Sequence, residues 1–567
     1  MAKRKRSNKR ATKAHARKQP KLSRASESIL LWVQTHSLAV FLILVALGSL
    51  RIVSTYSVFS YTADEPVHIA CGMEWLSKHT YQYYTDHPPL ARVATAIGPY
   101  LAGVRSYGTP TGLTEGLAFQ RDNNHERNLF LARLGILPFF WVASLVAYLW
   151  AKRYFSELDA AFAVLFFTFL PPVLAHGSLA TTDMALTAMA GASFFSGLLW
   201  LERPTAAYAV VFGVMTGLAV LSKFSALVFI PASFVAALIW YVSVKRPSIF
   251  STLHAAKARL GTFALAILAG AVTIWAGYGF SVGAVSFCRF HLPAPELYAG
   301  IQDLVDHNRK GHMSYLLGRH SQVGWWYYYL VVLAVKTPLP FLAMLLYGLL
   351  CKKKRESTFA MGLAMAFSLG ILLFSLTSHI NIGVRHILPV YVGFAIIAGS
   401  GAVGLVDRAR KSRMNAWIFC GLLLWMIATS LLSHPDYIPY FNALAGNAPE
   451  QILVDSDLDW NQDLKRLAKR LREVGAREVA YTPFTLCDPV ALGLPSVKPF
   501  DPKNPSPGWH AANLTMLKSI RFRLVQHPEI KLWPENIKAT ERVGKGMLLW
   551  YFPPDEPPKS GKEKDVQ

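Results

Sequence analysis

Between residues 35 and 433 the chain is a succession of apolar stretches, each close to the roughly twenty residues that carry a helix across the hydrocarbon core of a bilayer. In lipid every backbone N–H and C=O must find its partner within the protein, so such stretches can only be helices. They fall near 35–55, 131–150, 158–175, 181–201, 205–222, 224–243, 260–280, 327–350, 358–377, 387–405 and 415–433, which predicts about eleven transmembrane helices. The charge content agrees: 16% of the 567 residues are charged and 53% are hydrophobic, whereas roughly a quarter of a soluble domain is charged.

A formal net charge of +24 would suit a nucleic-acid binder, but its distribution argues against one. Eleven Lys or Arg crowd the first 28 residues with no acid until Glu27, a tail expected to be disordered. Others lie in short connections: Lys152 and Arg153, Arg203, Lys245 to Arg259, Lys352 to Arg355, and Arg408 to Arg413. Basic residues on one side of successive spans mark the cytoplasmic face, so the N-terminus is expected in the cytoplasm and the C-terminus outside. The first apolar stretch lacks a small-residue cleavage site and is read as a retained span.

On that topology three non-cytoplasmic segments are too long to be simple connectors: 56–130, 281–326 and everything after 434. The domain division is a basic tail 1–28, a membrane domain 29–433 and a small C-terminal domain 434–567. In the last, Leu464, Leu467, Leu471 and Val474 form one stripe of a helix over 461–474 that Gly475 ends, and strand-like runs at 478–484 and 546–552 give an α/β fold. Five scattered cysteines contain no CxxC pair and point to neither a disulfide framework nor a zinc knuckle, with a Cys71–Cys487 pairing left as an alternative.

The first outer segment opens on Asp64-Glu65-Pro66 and continues to Asp86-His87-Pro88-Pro89-Leu90-Ala91-Arg92. Carboxylates beside low-dielectric surroundings suit a general base acting on a hydroxyl, although acids here could equally cap the helices of the segment. Arg133, Lys223, Lys336 and Arg385 are cations at the non-cytoplasmic ends of apolar segments, against the positive-inside trend. Either they snorkel to the interface, or they hold a phosphate at that depth. His176 and Asp183 bracket an outer turn, where Asp183 either caps a helix or lines the same cavity as His176, and His379, Asn381 and His386 surround Arg385. No spaced metal-ligand set appears, so no cofactor is assigned and a divalent metal stays open. Asp455, Asp457 and Asp459 alternate before Trp460 without an EF-hand's Gly and Glu, and Asp459 is read as a helix cap. Asn513-Leu-Thr515 is a glycosylation sequon.

These residues resemble a known family, the membrane glycosyltransferases of the protein O-mannosyltransferase type and the bacterial polyprenyl-phosphate-sugar transferases that share their GT-C fold. Asp64-Glu65 and the Asp86-to-Arg92 element carry the resemblance, supported by His176 to Asp183, Leu221-Ser222-Lys223, Lys336-Thr337-Pro338, Arg385-His386-Ile387-Leu388-Pro389 and the Asp455-to-Leu464 run. The resemblance implies an all-α polytopic bundle of GT-C type with a small non-cytoplasmic α/β C-terminal domain. It also implies inverting transfer of a sugar from a polyprenyl phosphate to an acceptor hydroxyl of a protein, lipid or glycan. On the same footing, Asp64 is the base and Glu65 supports it. Arg133 and Arg385, then Arg92, Lys223 and Lys336, hold the donor phosphate, and Asp86, His87, His176, Asp183 and His386 complete the site. The setting is the bacterial inner membrane, with the site facing the periplasm or exterior. The competing reading is a secondary transporter using the same charges, but transporters of that kind show internal repeats and none is visible here.

Overall fold

The computed structural model describes residues 24–350, 355–524 and 529–554. The expected disordered tail lies outside the described residues up to 23, as do most of the 352–355 basic run and the C-terminal end from 555. From Arg24 the chain is helical, so residues 24–28 of the expected tail already belong to a helix.

Each apolar stretch read from the sequence is helical. Among the described residues seven helices are long and apolar enough to cross a membrane, and up to ten if each of three bent pairs is one span. The bent pairs are Ser26–Thr35 with Ser37–Val53, Glu157–Phe169 with Pro171–Gly177, and Tyr328–Lys336 with Leu339–Leu350, bent by 89°, 64° and 111°. Pro171 and Pro338 sit at the second and third breaks, where proline removes a helix hydrogen bond. The expected 205–222 span is the shorter apolar helix Ala206–Ser222. The chain is an integral membrane protein. Helices Asp183–Glu202 and Val390–Ala409 form the centre of the bundle, 83% of each apolar window being buried, while Ile249–Gly277 and Arg413–Leu432 lie at the periphery with 11%. Without a hydrophobic drive between helices in lipid, close packing carries the assembly. Gly213 shows how: a Cβ there would meet the Ala266 carbonyl oxygen at 2.1 Å.

One end of the bundle carries the connecting segments. Residues 56–130 supply the helices Glu65–Lys78, Pro89–Leu101 and Gly112–Arg121, and 281–326 supplies two short hairpins flanking the helix Pro295–Lys310. Beyond 434 a five-stranded mixed sheet runs Ser496–Lys498, Glu478–Ala480, Gly508–Asn513, Met547–Phe552, Glu541–Val543, the first two pairings parallel and the last two antiparallel. The expected helix is Leu464–Glu473, with Leu464, Leu467 and Leu471 buried, and Gly475 follows at φ 67°. The strand read at 478–484 stops at Ala480. The strand Gly508–Asn513, which pairs on both sides, went unread because Gly508, His510 and its two alanines break the apolar alternation.

Candidate active site

The segment from Asp455 to Gln462 laces the C-terminal part onto two loops at this end of the bundle. Ser60 N–H donates to the Gln462 carbonyl at 3.0 Å and Ala63 N–H to that of Trp460 at 3.2 Å. On the other side the Val384 N–H donates to Asp457 Oδ1 at 3.0 Å, and the Ser456 hydroxyl to the Ile382 carbonyl. The loop bearing Asp64 and the loop bearing Arg385 are thereby held against one strip of chain.

Asp64 precedes the Glu65–Lys78 helix and makes no capping hydrogen bond. Its Oδ2 instead accepts from Arg385 Nη1 at 2.8 Å, and the same nitrogen lies 3.9 Å from Asp183 Oδ2. Asp183 Oδ1 in turn accepts from Lys223 Nζ at 2.7 Å. The four charges thus alternate, Asp64, Arg385, Asp183, Lys223, and Asp183 takes an ion-pairing role in place of a cap. Burial opposes the charge on Arg385, and Asp64 and Asp183 more than restore it, so its pKa lies above the ordinary value. The ring of Trp460 closes beneath, 4.2 Å from the guanidinium carbon.

Glu65 and Arg133 form a second, sealed pair. Arg133 Nε and Nη2 each donate to one Glu65 oxygen at 2.8 Å, and its remaining N–H groups reach the carbonyls of Tyr56, Phe59 and Ser60 at 3.3, 3.1 and 2.7 Å. Glu65 also accepts from the backbone N–H of Thr62 and of Ala180, both at 2.8 Å. Arg133, expected to hold phosphate, is 1% exposed with its donors committed to this anchor. Lys336 is likewise turned inward: it donates to the carbonyls of Ile438 and Asp457 at 2.7 and 2.6 Å across the third helix break.

Arg92 closes the Asp86–Arg92 element on itself. It donates to Asp86 Oδ1 at 3.0 Å, to His68 Nδ1 at 3.0 Å, to the Tyr81 hydroxyl at 3.0 Å and to the His87 carbonyl at 3.1 Å. It lines the cavity described next, but as the brace of its loop.

That cavity has a volume of about 810 Å³. Asp64, Asp86, His87, Lys223, Arg385 and His386 line it, together with Arg92. One side is apolar: Leu227, Val228 and Phe229, Leu304 and Val305, and Phe374, from three separate helices. Leu227, Val305 and Phe374 are 40%, 43% and 40% exposed, so this apolar side is open at the surface of the protein. At the polar end Arg385 Nε, His87 Nδ1 and His386 Nε2 are buried and, among the described residues, have no hydrogen-bond partner. Unpaired buried donors and acceptors are costly, and three in one cavity mark a place where a polar ligand would satisfy them. Burial holds His87 and His386 well below the ordinary histidine pKa, reinforced by Arg92 and Lys223 at the first and by Lys223 and Arg385 at the second, so both rings are neutral.

Asp183 and His176 are fully buried behind the wall of the cavity and do not line it. Sequence reasoning missed His68, His312 and Tyr329, and singled out the Asp455–Trp460 run without placing it in the site; all five line the cavity. Trp460 had a signal in its acidic flanks, whereas His312 and Tyr329 sit in segments with no pattern that marks a site. The three alternating aspartates diverge. Asp455 faces the cavity, and Asp457 faces Val384. Asp459 caps no helix, being buried with its Oδ1 accepting from Asn513 Nδ2 at 3.1 Å. Asn513 is therefore fully buried, and its sequon is closed to a modifying enzyme. Cys71 and Cys487 are both free. Among the described residues no group of three or more His, Cys, Asp or Glu is arranged to hold a metal ion.

Residues 126–275 match the dolichyl-phosphate-mannose-protein mannosyltransferase family. The matched stretch holds Arg133, His176, Asp183 and Lys223, and bears out the resemblance read from the sequence. No curated protein matches in sequence. Among solved structures, ArnT from Cupriavidus metallidurans bound to undecaprenyl phosphate is similar with a TM-score of 0.49 and 13% identity, over 90% of this chain and 97% of that one. The archaeal oligosaccharyltransferase AglB from Archaeoglobus fulgidus, in complex with an inhibitory peptide and a dolichol-phosphate, gives a TM-score of 0.40 and 14% identity over 86% and 70%.

Proposed function

We propose that the protein is a glycosyltransferase of GT-C type that moves a sugar from a polyprenyl phosphate to an acceptor hydroxyl, with inversion, on the non-cytoplasmic side of the membrane. The observation that carries this reading is one cavity with an exposed apolar side and, at its polar end, Asp64 paired to an Arg385 whose Nε has no partner among the described residues. A polyprenyl chain fits the apolar side, and a phosphate fits Arg385, whose fork matches phosphate oxygens, with Lys223 adding charge. The family match over 126–275 supports the reaction class.

The chemistry follows from the charges. Phosphate arriving at Arg385 draws the guanidinium from Asp64, freeing the carboxylate to accept the proton of an acceptor hydroxyl. The acceptor oxygen attacks the anomeric carbon as the bond to the phosphate oxygen breaks, and the electron pair leaves with the polyprenyl phosphate. Attack opposite the leaving group inverts the anomeric configuration. Arg385 and Lys223 stabilise the charge that develops on the phosphate. Glu65 and Arg133 position Asp64 by fixing its neighbour to the bundle.

Orientation belongs to the same reading. The helices ending near Lys152, Arg203, Lys245 and Arg408 all begin at the cavity end and finish on basic residues, the cytoplasmic signature, which leaves the cavity outside. A secondary transporter would hold its charges near mid-membrane.

The test uses purified protein with undecaprenyl-phosphate mannose, glucose, galactose and arabinose, following release of undecaprenyl phosphate in the presence of membrane extract as acceptor. Wild type should release it from at least one donor, and Asp64→Asn should be slower by about 10²–10⁴-fold, as for loss of a general base. No release by wild type, or equal release by both, would overturn the assignment.

A further inference from the structure

Asp455 is held in an unusual way. Its φ of 59° puts a non-glycine residue in the left-handed region, a conformation that persists where the surroundings enforce it and that gathers at functional sites. The enforcement is visible: Asp455 N–H donates to Thr515 Oγ1 at 2.9 Å, and that hydroxyl donates to the Asp459 carbonyl at 2.7 Å. The carboxylate is then only half used. Oδ1 accepts from the Ser456 N–H at 2.6 Å, and among the described residues Oδ2 accepts no hydrogen bond.

Asp455 also stands where two spaces meet. It lines the 810 Å³ cavity and a second, small pocket of about 50 Å³ beside it, bordered by Asn381, Thr515 and Ser519. That volume holds a few waters, one needing about 10–15 Å³. It is too small for a sugar ring and right for a single polar substituent. The wall containing Asp455 and Trp460 belongs to the C-terminal segment, whereas the apolar side of the cavity comes from the three bundle-end helices. A donor with its lipid against Leu227 and Phe374 and its phosphate at Arg385 leaves its sugar facing Asp455.

We propose that Asp455, with the small pocket beside it, reads the hydroxyl pattern of the donor sugar and so determines which sugar is transferred. This rests on the transfer reaction proposed above. A carboxylate oxygen accepting from one or two sugar hydroxyls, beside a pocket that admits one substituent, discriminates epimers because the wrong one leaves a buried acceptor unpaired. Burial pushes the Asp455 carboxyl up to about 6 against the pull of Arg385.

The experiment measures kcat/KM for the four undecaprenyl-phosphate sugars, of which mannose and glucose differ only at C2 and glucose and galactose only at C4. It also measures the Kd of sugar-free undecaprenyl phosphate, for full-length wild type, Asp455→Asn and Ser519→Val. Wild type should prefer one donor by about tenfold or more. Asp455→Asn should lose about 10–100-fold on that donor, flatten the preference and leave the undecaprenyl phosphate Kd unchanged. Ser519→Val, which fills the small pocket, should change the order of preference at an unchanged thermal midpoint, and serves if Asp455→Asn does not fold. An equal fall on every donor, a weakened Kd for undecaprenyl phosphate alone, or an unaltered preference in both variants would overturn the assignment while transfer itself stands. No release by wild type from any donor would overturn the transfer reading and this one with it.

Discussion

At the scale of single residues, the two arginines that open and close the site show opposite uses of one side chain. Among the described residues Arg385 keeps an unpaired Nε in the cavity, while Arg133 spends every donor on Glu65 and three carbonyls. Both are cations at the ends of apolar segments, so charge at depth was legible in the sequence but the partner was not. The buried pair makes a sharp prediction. Arg133→Met leaves Glu65 as an uncompensated charge at 0% exposure and should cost about 3–5 kcal/mol, seen as a large fall in the thermal midpoint of the detergent-solubilised protein. The double variant Arg133→Met/Glu65→Gln should recover part of that loss. A single variant as stable as wild type would mean the pair is not the anchor drawn above.

Among elements, the close contact of the helices Glu65–Lys78 and Pro89–Leu101 sets the position of the Asp86 loop. Gly72 permits it: a Cβ there would meet the Arg92 carbonyl oxygen at 1.9 Å and the Ala96 Cβ at 2.9 Å. Gly72→Ala should therefore separate the helices and destabilise by about 1–3 kcal/mol, as overpacking does. Because the displaced carbonyl belongs to the residue that braces Asp86 and His87, release of undecaprenyl phosphate should fall further than stability alone explains. A fall in thermal midpoint with undiminished turnover would separate this contact from the site. The helices themselves were readable from apolar length, which is local, whereas the breaks within the 158–175 and 327–350 stretches were not read. That the breaks at 170 and 337 bring His176 and Lys336 inward was not readable, because the sense of a bend is set by what the helix packs against.

At the scale of the whole molecule, the C-terminal part is held partly by a buried acid. Asp459 sits between Asn461, Asn513 and Thr515, and burial raises its carboxyl from 3.8 to about 7. The folded state thus favours the protonated form: the stabilisation is full below about pH 4 and is lost as pH rises through about 7. Wild type should lose thermal stability between about pH 4 and 7 more steeply than Asp459→Asn, and parallel profiles would show that Asp459 does not titrate in that range. The sequence by itself determined the apolar membrane helices and the Asp64 and Arg385 loops as candidates, because apolar length and chemical type are properties of contiguous residues. Only the tertiary structure decided which charges pair and which face the cavity. Asp64 and Arg385 lie 321 positions apart, and Asp455 reaches them through the strip that joins both loops, so their meeting depends on long-range packing that no local pattern records.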